Sequence, residues 1–199
     1  AMTARLPVCT AFTVALCVTV YLLPDLASLL IYDRQAIERG ELWRLLTGNM
    51  VHFSVQHLAA DILALAVTAG LIERVRLEGA AALFMAMPIC IGAVLFLFEP
   101  GMRYYGGLSG LAYGTITYLA LFGLRGGHPY RKAGALALSM MASMIAWDML
   151  SVVDPSRLEG PFVPVPLSHL AGAVTALSVF AYRASACRYH STKSGQMYS

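Results

Sequence analysis

Apolar residues fall along this chain in six runs of helical length, at about 7 to 30, 51 to 72, 79 to 98, 109 to 124, 131 to 151 and 167 to 185. Each run is near the ~20 residues a helix needs to cross a ~30 Å hydrocarbon core. The pattern predicts an all-α membrane protein: one six-helix transmembrane bundle over residues 1–199, with a short fourth helix, no linker and no low-complexity segment. The first run has a single early arginine, Arg5, but its apolar stretch is long and no small-x-small cleavage site follows, so a retained span is expected. The one long connection, Tyr32 to Met50, carries Asp33, Arg34, Glu38, Arg39, Glu41 and Arg44, which read mostly as solvated charge. Its Trp43 has the amphipathic ring suited to the headgroup level. Trp43-Arg44 is therefore open between an interfacial anchor and a structural role beside a site.

Polar residues that interrupt the runs carry the chemistry. The second run contains His52, Gln56, His57 and Asp61, and His57 and Asp61, four apart, share a helix face. At 1.5 Å per residue they lie roughly 9 Å and 15 Å below the outer helix end, and an acid at that depth, costing ~3 kcal/mol, must face the protein interior or water and have a partner. A buried pair joining helices is the other reading of these two. His52, at the rim, reads also as an interfacial residue. Glu73 is expected to cap a helix or pair near Arg74 and Arg76. The third run offers only Pro88 and Gly92 as irregularities and reads as scaffold.

Ahead of the fourth run, Tyr104-Tyr105-Gly106-Gly107-Leu108-Ser109-Gly110 sets one hydroxyl among glycines at a helix start, where unpaired N–H groups suit a developing negative charge. The glycines alone read better as a packing face, Gly110 and Gly114 being four apart. The fifth run ends in Trp147-Asp148, with Asp148 close enough to a helix end to be interfacial. After a proline-rich loop, His169 opens the sixth run at about the depth assigned to His57. Ser109 and His169 supply the parts of a nucleophilic pair, the imidazole taking the hydroxyl proton during attack and returning it to the leaving group. No aspartate is obviously placed to orient His169. Backbone N–H groups around Leu108 and Ser109 and the side chain of His57 are the candidates to cradle an oxyanion. Tyr113, one turn after Ser109, is open between packing against the histidine and an ordinary core position.

Composition narrows the class. At 58% hydrophobic, 13% charged and a mean hydropathy of +0.67, the chain is too apolar for an ordinary soluble globule. With six spans, one side carries Arg5, Arg74, Arg76, Arg125, Arg131, Lys132, Arg183, Arg188 and Lys193, and the other Arg34, Arg39, Arg44, Arg103 and Arg157, which predicts cytoplasmic termini. The net charge of +3 is thus a topology signal, with no nucleic-acid patch in it. Cys9, Cys17 and Cys90 lie in runs and Cys187 in the tail, with no CxxC pair to suggest a disulfide framework or a metal site. No P-loop, dinucleotide fingerprint or HExxH occurs, so neither nucleotide nor cofactor is expected.

Trp43-Arg44, His52, His57, Gly107-Leu108-Ser109-Gly110 with Tyr113, and His169-Leu170-Ala171-Gly172, in that order, resemble the rhomboid intramembrane serine proteases over nearly the whole chain. The resemblance implies Ser109 as nucleophile, His169 as general base, His57 in the oxyanion hole and Tyr113 packed against His169, with Gly107, Leu108, Asp61 and His52 in support. It implies lateral entry of membrane-anchored protein substrates from the bilayer near Trp147, and water reaching Ser109 from the outer face. The sequence departs from the family at Asp61, where bacterial rhomboids usually have asparagine, and at Ala176, where a second glycine is common. A carboxylate at 61 is expected to be neutral or turned away, hydrogen-bonded to His57 or another polar group. The compact core and the Tyr-Gly-Gly-Leu-Ser-Gly context resemble the rhombosortase branch, which implies removal of C-terminal glycine-rich sorting tails at a bacterial inner membrane. A non-catalytic rhomboid-like pseudoprotease that binds transmembrane segments is the alternative, against which Ser109 and His169 together argue. A solute transporter relaying protons through His57 and Asp61 lacks the internal repeat common in such folds.

Overall fold

A computed structural model describes residues 6–75, 77–153 and 165–196, with 152, 153 and 187–196 as backbone only. The first apolar run is broken. Helix α1 (Val8–Leu22) ends where Pro24 has no N–H to continue the ladder, and α2 (Pro24–Leu30) leaves at 114° to it. The start of α1 is capped from outside: Glu73 accepts hydrogen bonds from the backbone N–H groups of Cys9 at 3.0 Å and Thr10 at 2.6 Å, and from the Thr10 hydroxyl. That satisfies donors a helix leaves open in its first turn.

The long connection is a folded layer. It contains β1 (Tyr32–Asp33), α3 (Arg34–Glu38), α4 (Arg44–Thr47) and a 3₁₀ turn over Gly48–Met50. The expectation that its charges are mostly solvated does not hold for Arg34 and Arg44, because both guanidinium groups are taken up by backbone carbonyls at and just beyond helix ends. Arg44, 7% exposed, donates to the carbonyls of Ser28 and Ile31 at 2.9 and 2.8 Å and pairs with Glu41 at 2.7 Å. Arg34 donates to the carbonyls of Leu95, Phe96, Glu99 and Met102. Trp43 donates its indole N–H to Leu29 O at 3.2 Å while half of its surface stays exposed.

Helix α5 (Val55–Arg74) begins at Ser54, whose hydroxyl accepts from His57 N at 3.2 Å. Helix α6 (Ala80–Phe98) follows a turn at Gly79 with φ of 81°. The irregularities of α6 are where the loop layer docks: Asn49 Nδ2 donates to Pro88 O at 3.2 Å, and a Cβ on Gly92 would collide with Leu45 O. Strand β2 (Tyr104–Tyr105) pairs antiparallel with β1, Tyr32 opposite Tyr105, and so ties the loop layer to the glycine turn.

Helix α7 (Ser109–Arg125) is the centre of the bundle, with α5, α8 (His128–Val153) and α9 (Pro166–Gln196) packed around it. It approaches α9 closely through glycines: a Cβ on Gly172 would run into Gly110 O, and one on Gly110 would sit 2.8 Å from Ser168 O. Helix α8 meets α7 the same way, since a Cβ on Gly134 would lie 2.5 Å from Ala120 O. Ala176 is wholly buried in the core with Leu83, Met87, Ile91, Leu108 and Tyr118. Among the described residues, α5, α6 and α8 are long and apolar enough to cross a membrane, and α1 with α2 counts as a fourth if the bent pair is one span.

Candidate functional site

Three helices begin and two end at the same end of the bundle, and four of the five carry the polar groups gathered there. Ser109 is the first residue of α7, His169 lies in the first turn of α9, His57 in the first turn of α5, and Asp148 near the end of α8. The short α7 starts late because Gly106-Gly107 turns the chain inward, with Gly107 at φ of 138°, a conformation that favours glycine. Close approach matters there too: a Cβ on Gly107 would stand 2.7 Å from His57 Cε1.

His169 Nε2 lies 2.9 Å from Ser109 Oγ, within hydrogen-bond reach of the hydroxyl proton. The Tyr113 ring stacks on the imidazole, centroids 4.1 Å apart and planes within 6°. Ser109 is half-buried and His169 and Tyr113 are buried, so the pair sits in a recess, away from the flat surface. Sequence reasoning left one neighbour out. Asp148, read as interfacial, instead turns inward: its Oδ2 lies 2.8 Å from His169 Nδ1 and 3.4 Å from the Tyr113 hydroxyl. Its neighbour Trp147, expected at the substrate gate, presents 59% of its surface on the outside of α8.

A second cluster lies behind the glycine turn. Asp61 Oδ2 accepts the Leu108 N–H at 2.8 Å and lies 3.2 Å from Nε2 of both His52 and His57. His52 is buried, not interfacial, and its Nδ1 faces Met50 O at 3.3 Å. Two sequence expectations bear on this cluster. The Asp61 carboxyl has the expected polar partner in His57, and with His52 and the Leu108 N–H on the same oxygen it is the hub of the cluster. The Leu108 N–H, expected among the oxyanion donors, already has Asp61 as its acceptor, and His57 Nε2 lies against the same carboxyl, whereas Ser109 opens α7, where first-turn N–H groups have no partner within the helix. His57, 21% exposed at its side chain, is the most exposed member of the cluster. Among the described residues no three His, Cys, Asp or Glu side chains are arranged to hold a metal ion.

A nucleophilic hydroxyl, an imidazole within reach and N–H groups at a helix start make an arrangement suited to acyl transfer. A family model described as "Rhomboid domain" matches residues 39–185, which takes in α4 to most of α9 and all the groups named above. No curated protein matches the chain.

Proposed function

The chain belongs to the rhomboid family and is an integral membrane protein, and on that premise we propose that it is a serine endopeptidase that cuts membrane-anchored proteins within or at the edge of the bilayer. The observation that carries this reading is the 2.9 Å separation of Ser109 Oγ and His169 Nε2. Ser109 Oγ attacks the scissile carbonyl carbon as its proton passes to Nε2; the carbonyl electron pair moves to oxygen, where the Ser109 N–H and His57 meet the charge. Collapse expels the amine, which takes the proton from His169, and water then repeats the sequence on the acyl-enzyme. Tyr113, stacked on the ring, limits its rotation between these steps.

The bundle is read as six membrane-crossing helices over residues 1–199, with both termini cytoplasmic and the site toward the outer face of a bacterial inner membrane. A substrate segment enters from lipid beside α8, where Trp147 stands. The Tyr104 to Gly110 context, similar to that of rhombosortases, points to glycine-rich C-terminal sorting tails as the substrates.

An alkyl fluorophosphonate tests the chemistry. Wild type should be labelled and folded Ser109→Ala should not. Absence of label on folded wild type would sink the proposal and favour a rhomboid-like protein that binds transmembrane segments without cutting them. For the substrates, cells carrying Ser109→Ala should retain precursors with an apolar C-terminal tail that wild-type cells lack.

A further inference from the structure

The reaction above uses one nitrogen of His169 and leaves the other to be explained. Nδ1 lies 2.8 Å from Asp148 Oδ2, and the two side chains are only 8% and 16% exposed, so bulk water competes little for that contact. The Tyr113 ring covers the imidazole while its hydroxyl reaches the same carboxylate oxygen at 3.4 Å. A carboxylate accepts hydrogen bonds and cannot donate, so it fixes the proton of the neutral ring on Nδ1. The Nε2 lone pair then faces the Ser109 hydroxyl.

Resting on the proteolytic reading, we propose that Asp148 is the third member of a Ser109–His169–Asp148 triad, a positioning residue that holds His169 in the tautomer able to take the serine proton and offsets the charge of the imidazolium formed. As Ser109 Oγ bonds to the carbonyl carbon, its proton moves to Nε2 and the carbonyl electron pair moves to oxygen. Asp148 stays ionised throughout and receives no proton. The site then differs from a two-residue device in having its base oriented from a separate helix, α8. A brace between α8 and α9 with no part in the chemistry would use the same 2.8 Å contact, so the test must separate the two roles.

The reaction of the purified full chain with a fluorophosphonate isolates the step: Oγ bonds to phosphorus, fluoride leaves, and His169 takes the proton. Asp148→Asn keeps the size but removes the charge, and its NH2 can make Nδ1 an acceptor, which leaves the ring proton on Nε2 against Ser109. The inactivation rate constant at saturating probe should fall by at least ~100-fold, with the half-saturating probe concentration within about threefold of wild type. The unfolding temperature should stay at the wild-type value, and Asp148→Glu should recover part of the rate. A wild-type rate constant in Asp148→Asn overturns the proposal while leaving the protease reading intact. So do equal losses in the Asn and Glu variants that track a lowered unfolding temperature, which would mark a brace. Folded wild type without Ser109-dependent labelling overturns the protease reading, and the triad with it.

Discussion

A carboxylate can stand beside a site that must bear negative charge because of how Asp61 is partnered. The Met50 carbonyl opposite His52 Nδ1 only accepts, and His52 Nε2 faces the Asp61 carboxyl. His57 Nε2 and the Leu108 N–H meet the same carboxyl, so one oxygen of Asp61 is ringed by polar partners that offset its charge. An asparagine reproduces the acceptor for the Leu108 N–H. Asp61→Asn should therefore fold and keep fluorophosphonate labelling within about tenfold of wild type. Asp61→Leu removes the buried carboxyl that accepts the Leu108 N–H and meets Nε2 of both His52 and His57, a loss of about 1–3 kcal/mol for each contact not remade, and should lower the unfolding temperature and labelling together. Loss of labelling in a folded Asp61→Asn would show that the charge itself is needed. The sequence draws attention to Ser109 and His169 because a hydroxyl among glycines and an imidazole opening an apolar run both need explaining. It does not do so for Asp148. Helix α8 is apolar around most of its circumference, so no stripe reports its rotation, and an acid near a helix end reads as interfacial. Gly134, Met141 and Asp148 follow one another at intervals of seven and share the face of α8 turned toward the bundle, but in a helix apolar nearly all round that spacing does not stand out from the others.

Between elements, backbone contact at glycines sets how far α7 stands from its neighbours, and that distance sets the reach from Ser109 to His169. Gly172 is the tightest point: any Cβ meets Gly110 O and comes within 3.4 Å of Gly114 N, both backbone atoms that cannot swing aside. Gly172→Val must push α9 off α7 and carry His169 away from Ser109. Overpacking of this kind costs about 1–3 kcal/mol or more, so the variant should unfold at a lower temperature and label far more slowly than the stability loss alone explains. Labelling at the wild-type rate would mean that the helices separate without moving the site. The pairing of Gly110 with Gly114 announces this seam from spacing alone. The loop layer is less legible. The carbonyls that Arg44 and Arg34 satisfy belong to Ser28, Ile31 and Leu95 to Met102, and nothing in a run of charges from 33 to 44 indicates that distant helix ends will be brought to it. The break at Leu23–Pro24 is legible in principle, since Pro24 removes a donor, but mean hydropathy averages across it.

For the molecule as a whole, the direction of the helices and the placement of charge bear on the same question, which side of the membrane the site faces. Helices α5, α7 and α9 start at the site end and α6 and α8 finish there, so Arg103 and the loop layer lie with Ser109, while Arg74, Arg125, Arg131 and Arg183 lie toward the opposite end. Basic residues stay preferentially on the cytoplasmic side, and the opposite end has the excess. The site should accordingly open outward, where proteins already exported and still held by a tail can reach it. In a background lacking the native cysteines, Arg103→Cys should react with a membrane-impermeant maleimide on intact cells, and Arg125→Cys only after permeabilisation. Each replaces one arginine and leaves most of the charge bias in place, so neither should invert the chain. The reverse labelling pattern would turn the recess toward the cytoplasm. The chemistry at Ser109 would survive that result, but exported tail-anchored proteins could no longer be its substrates.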